Sequence, residues 1–406
     1  MNSSHVCPRL LVSKFKSHLL LLSHFQKMKP RLTPHNFYSW YNSSHNLLLK
    51  HRHSAFSSFC TLRTFSSSSK AFLFWKETSN LTPSFQKVKT TSNHDGKTLV
   101  DRYIFVKTLD HFYEDVPNGI ILDTAYADSR PGEDFDKNSP VILGLHDTPG
   151  SHHDLLPILG TFAKLGCRTV APTFPGHGDT QGLMPGFDDI FSHSTSERSQ
   201  FVHNFLADLG IERVDIIIAL GAACYPAMRL CAGGDTNDFY RSMALISPWP
   251  LKRSRYEAHV DLSKKIQFLW DRPFLRPPAK LLLPVCKVGN VKNTRDKVTT
   301  AYLLNNLDLN EATGLALAAG IMNMPRFVMF GEQDHDVEKE LYYDLVNKLE
   351  IPRANVSMFE GKLGSPLLPG ALVFPEGGYD LLQKYSGIIS ICLLDLLKLF
   401  YPNIRI

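Results

Sequence analysis

Short apolar runs with the length of buried strands alternate with segments of helical periodicity from about residue 95 onward. Residues 141–145 (VILGL) form one such run, and residues 154–165 then carry apolar side chains at helical spacing up to Gly166. Strands that alternate with helices in this way predict a mostly parallel sheet with helices on both faces. The chain is therefore expected to contain a doubly wound α/β domain.

The same alternation predicts the other elements of this domain. Strands are expected at 103–107, 120–125, 169–171, 214–219, 243–246 and 327–330, and helices at 223–231 and 337–349. The sequence Ser194-Thr-Ser-Glu197 is a capping box that marks the start of a further helix. Between strands, residues 248–324 break the rhythm and look mainly helical. An insertion at this place predicts a helical cap over the carboxyl edge of the sheet, where such folds bind ligands.

The first 76 residues have a different composition from the rest of the chain. They contain no Asp or Glu but eleven of the 44 Lys and Arg, together with many Ser and Leu. This composition is typical of a mitochondrial transit peptide, and Arg63-Thr-Phe-Ser66 resembles a processing site. We therefore interpret 1–76 as a transit peptide or disordered basic segment, 77–94 as a linker and 95–406 as the α/β domain. The expected location is the mitochondrion, with the cytoplasm as the alternative.

Composition excludes several classes of protein. Without its first 76 residues the chain has 33 basic and 39 acidic residues, so it lacks the basic surface of a nucleic-acid-binding protein. Its longest apolar runs are shorter than the ~20 residues of a membrane span. The seven Cys are scattered without a Cys-x-x-Cys pair, and no His-Glu-x-x-His, Gly-x-Gly-x-x-Gly or Walker motif occurs. We therefore expect neither a metal nor a cofactor.

Three loops at strand ends carry a resemblance to a known family. His146-Asp-Thr-Pro-Gly150 resembles the His-Gly-x-Pro-Gly loop of α/β-hydrolases, and Pro175-Gly-His-Gly178 resembles their next signature. Phe330-Gly-Glu-Gln-Asp334 resembles the strand end that presents their catalytic acid. The order and spacing agree over about residues 95–400, and the details are most similar to a poorly characterised group of invertebrate hydrolase-like proteins. The resemblance implies an α/β-hydrolase fold with a helical cap.

The same resemblance implies an incomplete catalytic triad. A hydrolase of this fold has a nucleophile on a sharp strand-to-helix turn, followed along the chain by an acid and then a His. Here the nucleophile position is Gly221, which has no side chain, while Asp334 stands at the acid position. Gly378, or alternatively its neighbour Tyr379, occupies the position of the base, and no His follows His335. Ordinary serine-hydrolase chemistry is therefore not expected.

The surroundings of the missing nucleophile give two further expectations. The resemblance places an oxyanion hole at the backbone N–H groups after His146, near Thr148, and at Ala222. Asp147 stands where the family usually has Gly, and a carboxylate there would oppose a developing negative charge. Cys224 is the alternative nucleophile, because a thiolate attacks well, although a Cys on a buried helix is more often a small hydrophobic residue.

Three hypotheses remain at this stage. The first is a catalytically silent α/β-hydrolase-fold protein that binds a small apolar ligand or a protein partner in a covered pocket. The second is an active enzyme with a non-standard site, either an ester or acyl hydrolase or a non-hydrolytic enzyme, that uses Asp334 or Cys224. The third is a structural subunit of a mitochondrial assembly. Loss of the Ser or the His alone costs roughly 10⁶-fold in turnover, about 8 kcal/mol, which favours the first.

Overall fold

The computed structural model describes residues 99–112, 118–130, 138–180, 191–233, 239–253, 257–285, 293–361 and 367–404. The expected transit segment at 1–76 and the linker at 77–94 lie outside these residues. Nine strands are described: β1 (Val100–Lys107), β2 (Ile121–Asp128), β3 (Val141–Leu145), β4 (Arg168–Pro172), β5 (Ile216–Leu220), β6 (Met243–Ile246), β7 (Arg326–Gly331), β8 (Val356–Met358) and β9 (Gly370–Phe374).

The α-helices of the described residues follow these strands along the chain. They are α1 (Leu156–Lys164), α2 (Thr195–Asp208), α3 (Cys224–Ala232), α4 (Glu257–Trp270), α5 (Arg276–Leu282), α6 (Thr294–Asn306), α7 (Leu309–Ile321), α8 (Lys339–Lys348) and α9 (Leu381–Lys398). No helix of the described segments is long and apolar enough to cross a membrane.

All nine strands belong to one sheet with the order β1-β2-β4-β3-β5-β6-β7-β9-β8. The pairs β1–β2 and β2–β4 are antiparallel, and the pairs from β4 to β8 across the sheet are parallel. Strands β3, β5, β6, β7 and β9 are buried along their whole length because helices cover both faces. This is the doubly wound, mostly parallel sheet that the alternation predicts.

The chain changes direction across the sheet at β3. From β3 it continues to β4 on one side, and from β4 it returns to β5 on the other side. The loops that follow β3 and β5 therefore separate at the carboxyl edge, and the crevice between such loops is where open α/β sheets bind ligands. The site described below lies at this edge.

Most strands and helices lie within a few residues of their predicted bounds. Two predictions need correction. The strand predicted at 214–219 begins at Ile216, because Val214 forms only an isolated bridge with Tyr240. The predicted capping box is only half formed. Ser194 Oγ accepts from Glu197 N at 3.3 Å, but Glu197 Oε2 accepts from the N–H of His193 at 2.8 Å instead of returning to Ser194. His193 has a positive φ of 59°, which turns the preceding chain toward the helix.

The insertion between β6 and β7 consists of helices α4 to α7 and carries no strand among the residues described there, as expected for a helical cap. Helices α4 to α6 enclose a small apolar core of their own, which includes Ile266, Trp270 and Tyr302. Helix α7 instead packs against α3 and α8, so it belongs to the layer that covers one face of the sheet. Helices α4 to α6 are therefore a separately packed part of the insertion.

Candidate functional site

A cleft of about 1200 Å³ lies between the carboxyl edge of the sheet and the cap. Its floor is formed by the loops that follow β3, β5 and β6 and by the loop that precedes α9, and its roof comes from residues 250–253 and 304–310. Much of the wall is apolar, with Leu220, Ile246, Trp249, Leu251, Leu304 and Leu307. The insertion therefore borders a half-open cleft whose wall is apolar in part.

Gly221 forms the turn between β5 and α3 at the floor of this cleft. Strand β5 ends at Leu220, a single 3₁₀ turn covers Gly221–Ala223, and α3 begins at Cys224. Gly221 has a φ of 49°, a left-handed conformation that glycine adopts without steric cost. The strand-to-helix elbow of the fold is thus present at the predicted position, without a nucleophilic side chain.

The carboxylate of Asp147 lies directly over this elbow. Its Oδ1 accepts a hydrogen bond from Ala222 N at 2.8 Å and another from Thr148 N at 2.6 Å. These two backbone N–H groups are the donors predicted for the oxyanion hole, at Ala222 and in the loop after His146. The protein's own carboxylate therefore occupies the hole in which a hydrolase would hold its tetrahedral intermediate.

The hydroxyl of Tyr379 also lies over Gly221, beside the Asp147 carboxylate. This hydroxyl donates to Asp147 Oδ2 and accepts from Trp249 Nε1 at 2.9 Å. A Cβ built on Gly221 would overlap both the Asp147 carboxylate and the Tyr379 hydroxyl. The side chains of Asp147 and Tyr379 therefore fill the volume that a nucleophilic side chain at Gly221 would need.

The two candidate positions for the base, Gly378 and Tyr379, have different surroundings. A Cβ built on Gly378 has the carbonyl oxygen of Gln333 at 3.5 Å as its nearest neighbour. Its neighbour Tyr379 is the residue of this loop that reaches Gly221. The main chain of Tyr379 is also fixed, because Ser247 Oγ donates to its carbonyl oxygen at 2.7 Å. Tyr379 is therefore the residue of this loop whose side chain lies beside the elbow.

The electrostatics of the site are dominated by the burial of Asp147. Burial raises the pKa of Asp147 to about 6, although hydrogen bonds from Tyr379, Ala222 and Thr148 and the charge of Arg198 lower it. The guanidinium of Arg198 is itself buried and lies 3.9 Å from the centre of the Phe174 ring. At neutral pH the carboxylate is therefore mostly ionised, and its negative charge lies where an oxyanion would otherwise form.

Asp334 follows β7 as expected, but its hydrogen bonds stay within its own loop and α8. Oδ1 accepts from Asp336 N at 2.8 Å and from Val337 N at 3.2 Å, and Oδ2 accepts from the hydroxyl of Tyr342. Among the described residues, no hydrogen bond or ion pair joins Asp334 to a histidine. The carboxylate at the acid position therefore caps the turn before α8 and is bound to Tyr342.

His146 and Cys224, two further predicted site residues, are buried away from the cleft lining. Nδ1 of His146 donates to the Asp147 carbonyl and Nε2 accepts from Phe174 N at 2.8 Å, and burial lowers its pKa to about 3. It is a neutral structural residue. The Cys224 thiol contacts the carbonyl of Trp249 at 3.7 Å, and burial raises its pKa strongly. Cys224 is therefore not activated as an alternative nucleophile.

Trp249 is the site residue that the sequence did not indicate, and Tyr379 was indicated only as an alternative position for the base. Each reaches the site from a loop far along the chain. Two differences from the family could have indicated this arrangement. Asp147 has a side chain where the family has Gly, and Gly221 has none where the family has its nucleophile. A gain and a loss of volume at one site indicate that the new side chain occupies the vacated space.

The fold and the elbow define the class of this molecule as an α/β-hydrolase-fold protein. Residues 105–351, more than half of the chain, match the model of a family described as "Alpha/beta hydrolase of unknown function (DUF1057)". The chain belongs to this family, which confirms the predicted superfamily. Among curated proteins no sequence matches the chain.

Solved structures of α/β-hydrolases resemble the chain at low sequence identity. The enol-lactonase from Burkholderia xenovorans LB400 is 14% identical with a TM-score of 0.45, and the alignment covers 68% of this chain and 97% of that one. A thermophilic esterase from Thermogutta terrifontis is 13% identical with a TM-score of 0.49, over 73% of this chain and 98% of that one. The bromoperoxidase from Bacillus anthracis is 12% identical with a TM-score of 0.46, over 73% and 99%.

Proposed function

We propose that this protein is a non-catalytic member of the α/β-hydrolase fold that binds a small, largely apolar molecule in its cleft. One observation carries the proposal: Asp147 Oδ1 accepts from both N–H groups of the oxyanion hole, at 2.8 Å and 2.6 Å. A hydrolase uses these donors for the charge that develops during the reaction. Here they are already engaged by a side chain of the protein.

Ordinary hydrolysis would have to overcome several separate losses. Gly221 and Tyr379 supply neither nucleophile nor imidazole, and either loss alone costs roughly 10⁶-fold, about 8 kcal/mol. An oxyanion that formed ~4 Å from the Asp147 carboxylate would meet repulsion of about 4 kcal/mol at an effective dielectric constant of ~20. These costs support binding without turnover.

The lining of the cleft indicates the kind of ligand. Its volume of about 1200 Å³ exceeds the roughly 300–1,000 Å³ of typical small-molecule sites. The lining contains three basic residues and five acidic ones, so it carries charges of both signs: Lys252, Arg253 and Lys264, and Asp147, Asp154, Asp308, Asp336 and Asp380. We therefore expect a neutral molecule with an extended apolar body, and a protein partner that inserts an apolar side chain is the alternative occupant.

The ligand is tested with the neutral fluorescent probe N-phenyl-1-naphthylamine and the full chain. Two matched variants place the same bulky side chain inside and outside the cleft: Leu304→Trp on the wall and Leu317→Trp on the exposed side of α7. Saturable binding that Leu304→Trp weakens at least tenfold and Leu317→Trp leaves unchanged supports the proposal. Equal binding by both variants, or no saturable binding by the wild type, overturns it.

The absence of hydrolysis is tested separately with p-nitrophenyl butyrate and a fluorophosphonate probe. We expect no hydrolysis above background and no labelling of any serine, although Ser247 lies in the cleft lining. The hydroxyl of Ser247 is held by the Tyr379 carbonyl and has no base beside it in the described part of the site. Stoichiometric labelling together with ester turnover would contradict the non-catalytic assignment.

Proton-transfer chemistry is the second candidate function, and one observation favours it. Asp147 and Tyr379 both line the cleft, and burial raises the pKa of Asp147 to about 6, close to the pH at which a general base works best. Exchange of the α-protons of 2-heptanone in deuterated buffer tests it. Exchange that the Asp147→Asn variant lacks would favour an enzyme over a binding protein.

The location and the division of the chain are also proposals. We propose import into mitochondria, with 1–76 as the transit segment, 77–94 as a linker and 95–406 as the mature α/β-hydrolase domain; the acid-free composition supports this. N-terminal sequencing of protein recovered from cells is expected to find a start near Ser66. An intact Met1 on protein from the cytosolic fraction contradicts the proposal.

A further inference from the structure

Two histidines and one aspartate meet at the edge of the cleft, outside the elbow site. Asp101 lies on β1, and His152 and His153 lie on the 3₁₀ turn His152–Leu155 that follows β3. One carboxylate oxygen and one ring nitrogen from each histidine all lie within 4.8 Å of one another. We propose that Asp101, His152 and His153 form a binding site for a divalent transition-metal ion such as Zn²⁺.

The spacing of the first two ligand atoms fits a metal ion. His152 Nε2 and Asp101 Oδ1 are 3.2 Å apart. Two ligands that each lie ~2.1 Å from a metal are separated by roughly 2.9 Å in octahedral and roughly 3.4 Å in tetrahedral geometry. The observed separation falls between these two values, so the two atoms are spaced as two ligands of one metal ion would be.

The third ligand has the freedom to complete the site. The side chain of His153 is exposed, whereas His152 is buried, and the two rings lie with their centroids 4.1 Å apart. A rotation of the exposed ring moves its nitrogen by the ~1–1.5 Å that separates the present spacing from a coordination sphere. Because His153 faces solvent and lines the cleft, water or a ligand group would supply the remaining positions.

A second layer of contacts holds His152 in an orientation that suits a metal ligand. Its Nδ1 lies 2.6 Å from Thr173 Oγ1, and its backbone N–H donates to the same oxygen at 3.1 Å. Metal-binding histidines almost always engage their second ring nitrogen in this way, which fixes the ring and the tautomer. Thr173 directly follows β4 and is buried, so this support is rigid.

The set of donors defines the class of ion. Two imidazole nitrogens with one carboxylate suit Zn²⁺, Co²⁺ or Ni²⁺, whereas Mg²⁺ and Ca²⁺ prefer oxygen ligands. The sequence did not reveal this set, because Asp101 is 51 residues from His152 and the pair forms no local motif. It is brought together by the loop after β3, which returns beside the first strand.

The competing explanation is that Asp101 and His152 form a structural hydrogen-bonded pair and that His153 lies beside them by chance. His153 distinguishes the two explanations, because its ring packs on His152 but takes no part in the hydrogen bond between His152 and Asp101. Asp101→Asn gives a second distinction, since the amide oxygen still accepts from His152 but is a poor metal ligand.

The experiment uses the full chain, stripped with EDTA and titrated with Zn²⁺ against a chromophoric chelator. Histidines before residue 99 offer further nitrogen ligands, so the readout is the difference between variants. We expect the wild type to bind one equivalent more than His153→Ala, and Asp101→Asn to weaken this equivalent by 10–100-fold. His335→Ala removes an exposed histidine from the loop after β7 and should change nothing.

The visible absorption of bound Co²⁺ gives a second readout, because a purely structural pair of Asp101 and His152 would not produce it. Co²⁺ added to the stripped wild type should produce visible ligand-field absorption that His153→Ala lacks and His335→Ala retains. The proposal is overturned if His153→Ala binds Zn²⁺ with the same stoichiometry and affinity as the wild type. If Asp101→Asn does not fold, the cobalt spectra of His153→Ala and His335→Ala still decide the question.

Discussion

Two aspartates at the carboxyl edge of the same sheet are used in opposite ways. Asp147 stands where the family has glycine, and it accepts from Ala222 and Tyr379, which lie 75 and 232 residues away along the chain. Asp334 stands where the family has its acid, and it accepts only from its own turn and from Tyr342, eight residues on, among its described contacts. The role of a carboxylate is therefore set by the donors aimed at it and not by its place in a motif.

The largest effect is expected where the Asp147 side chain excludes another one. Gly221 and Gly210 both have positive φ angles, of 49° and 65°, but a Cβ has nothing within 4 Å at Gly210. Gly210→Ala should lower the free energy of unfolding by ~1–2 kcal/mol through backbone strain alone. Gly221→Ala adds overpacking against Asp147 and Tyr379 and should cost ~3–5 kcal/mol in urea denaturation.

The double variant Asp147→Gly/Gly221→Ala sharpens this measurement. Removal of the carboxylate takes away one of the two overlapping groups, so the cost of Gly221→Ala should be smaller in this background than in the wild type. Equal losses for Gly221→Ala and Gly210→Ala would show that the Asp147 side chain does not lie over the elbow.

The second effect is a pH dependence that originates from Asp147. Burial raises its pKa from 3.8 to about 6, so the folded protein holds this proton more tightly than the unfolded chain. Such a group contributes stability that is complete at low pH and is lost as the pH rises through about 6. The loss amounts to about 3 kcal/mol.

Asp147→Asn removes this titration. The amide carries no charge at any pH, and its oxygen still accepts from the backbone N–H groups of Ala222 and Thr148. The variant should therefore gain on the wild type by about 2.4 kcal/mol in free energy of unfolding between pH 4 and pH 7. Denaturation curves at several pH values measure the difference, and a constant difference would contradict a raised pKa.

The third effect compares the tyrosine that donates to each aspartate. Tyr379→Phe removes two hydrogen bonds, the one its hydroxyl donates to the half-buried Asp147 and the one it accepts from Trp249 Nε1, which should cost ~2–3 kcal/mol. Tyr342→Phe removes only the hydrogen bond to Asp334, which is also half-buried, so the cost is about 1 kcal/mol. Because the Tyr379 hydrogen bond lowers the pKa of Asp147, its removal also shifts the pH midpoint upward. Equal losses in free energy of unfolding for Tyr379→Phe and Tyr342→Phe would contradict the different roles of Asp147 and Asp334.

The fold could be predicted from the sequence wherever burial alone determines an element. The strands β3 and β6 agree with their predicted bounds, because a strand covered on both faces is a continuous apolar run. The site could be predicted only at positions that a motif fixes, such as Gly221 and Asp334. The filling of the space over Gly221 by Tyr379 could not be predicted. It depends on which residue of the loop before α9 reaches Gly221, and no local sequence pattern determines this.

The smallest effect is expected when hydrolysis is restored by mutation, because Asp147 blocks the elbow and Asp334 is bound to its own turn. Gly221→Ser alone should be inactive, because the new side chain collides with Asp147 and no base is near. The double variant Asp147→Gly/Gly221→Ser removes the carboxylate that lies over residue 221 and leaves the N–H groups of Ala222 and Thr148 available to an oxyanion. Tyr379→His, added to this pair, places an imidazole at the position that reaches the elbow.

The triple variant should hydrolyse p-nitrophenyl butyrate only slightly above background, because Asp334 remains bound to its own turn and to Tyr342 and does not orient the new imidazole. A matched triple variant with Gly378→His in place of Tyr379→His should stay at background, since that position faces the carbonyl of Gln333. Fluorophosphonate labelling of the introduced serine provides an independent readout. Greater activity in the Gly378→His variant would show that the loop before α9 can present either residue, and that the closure by Tyr379 is one of two conformations.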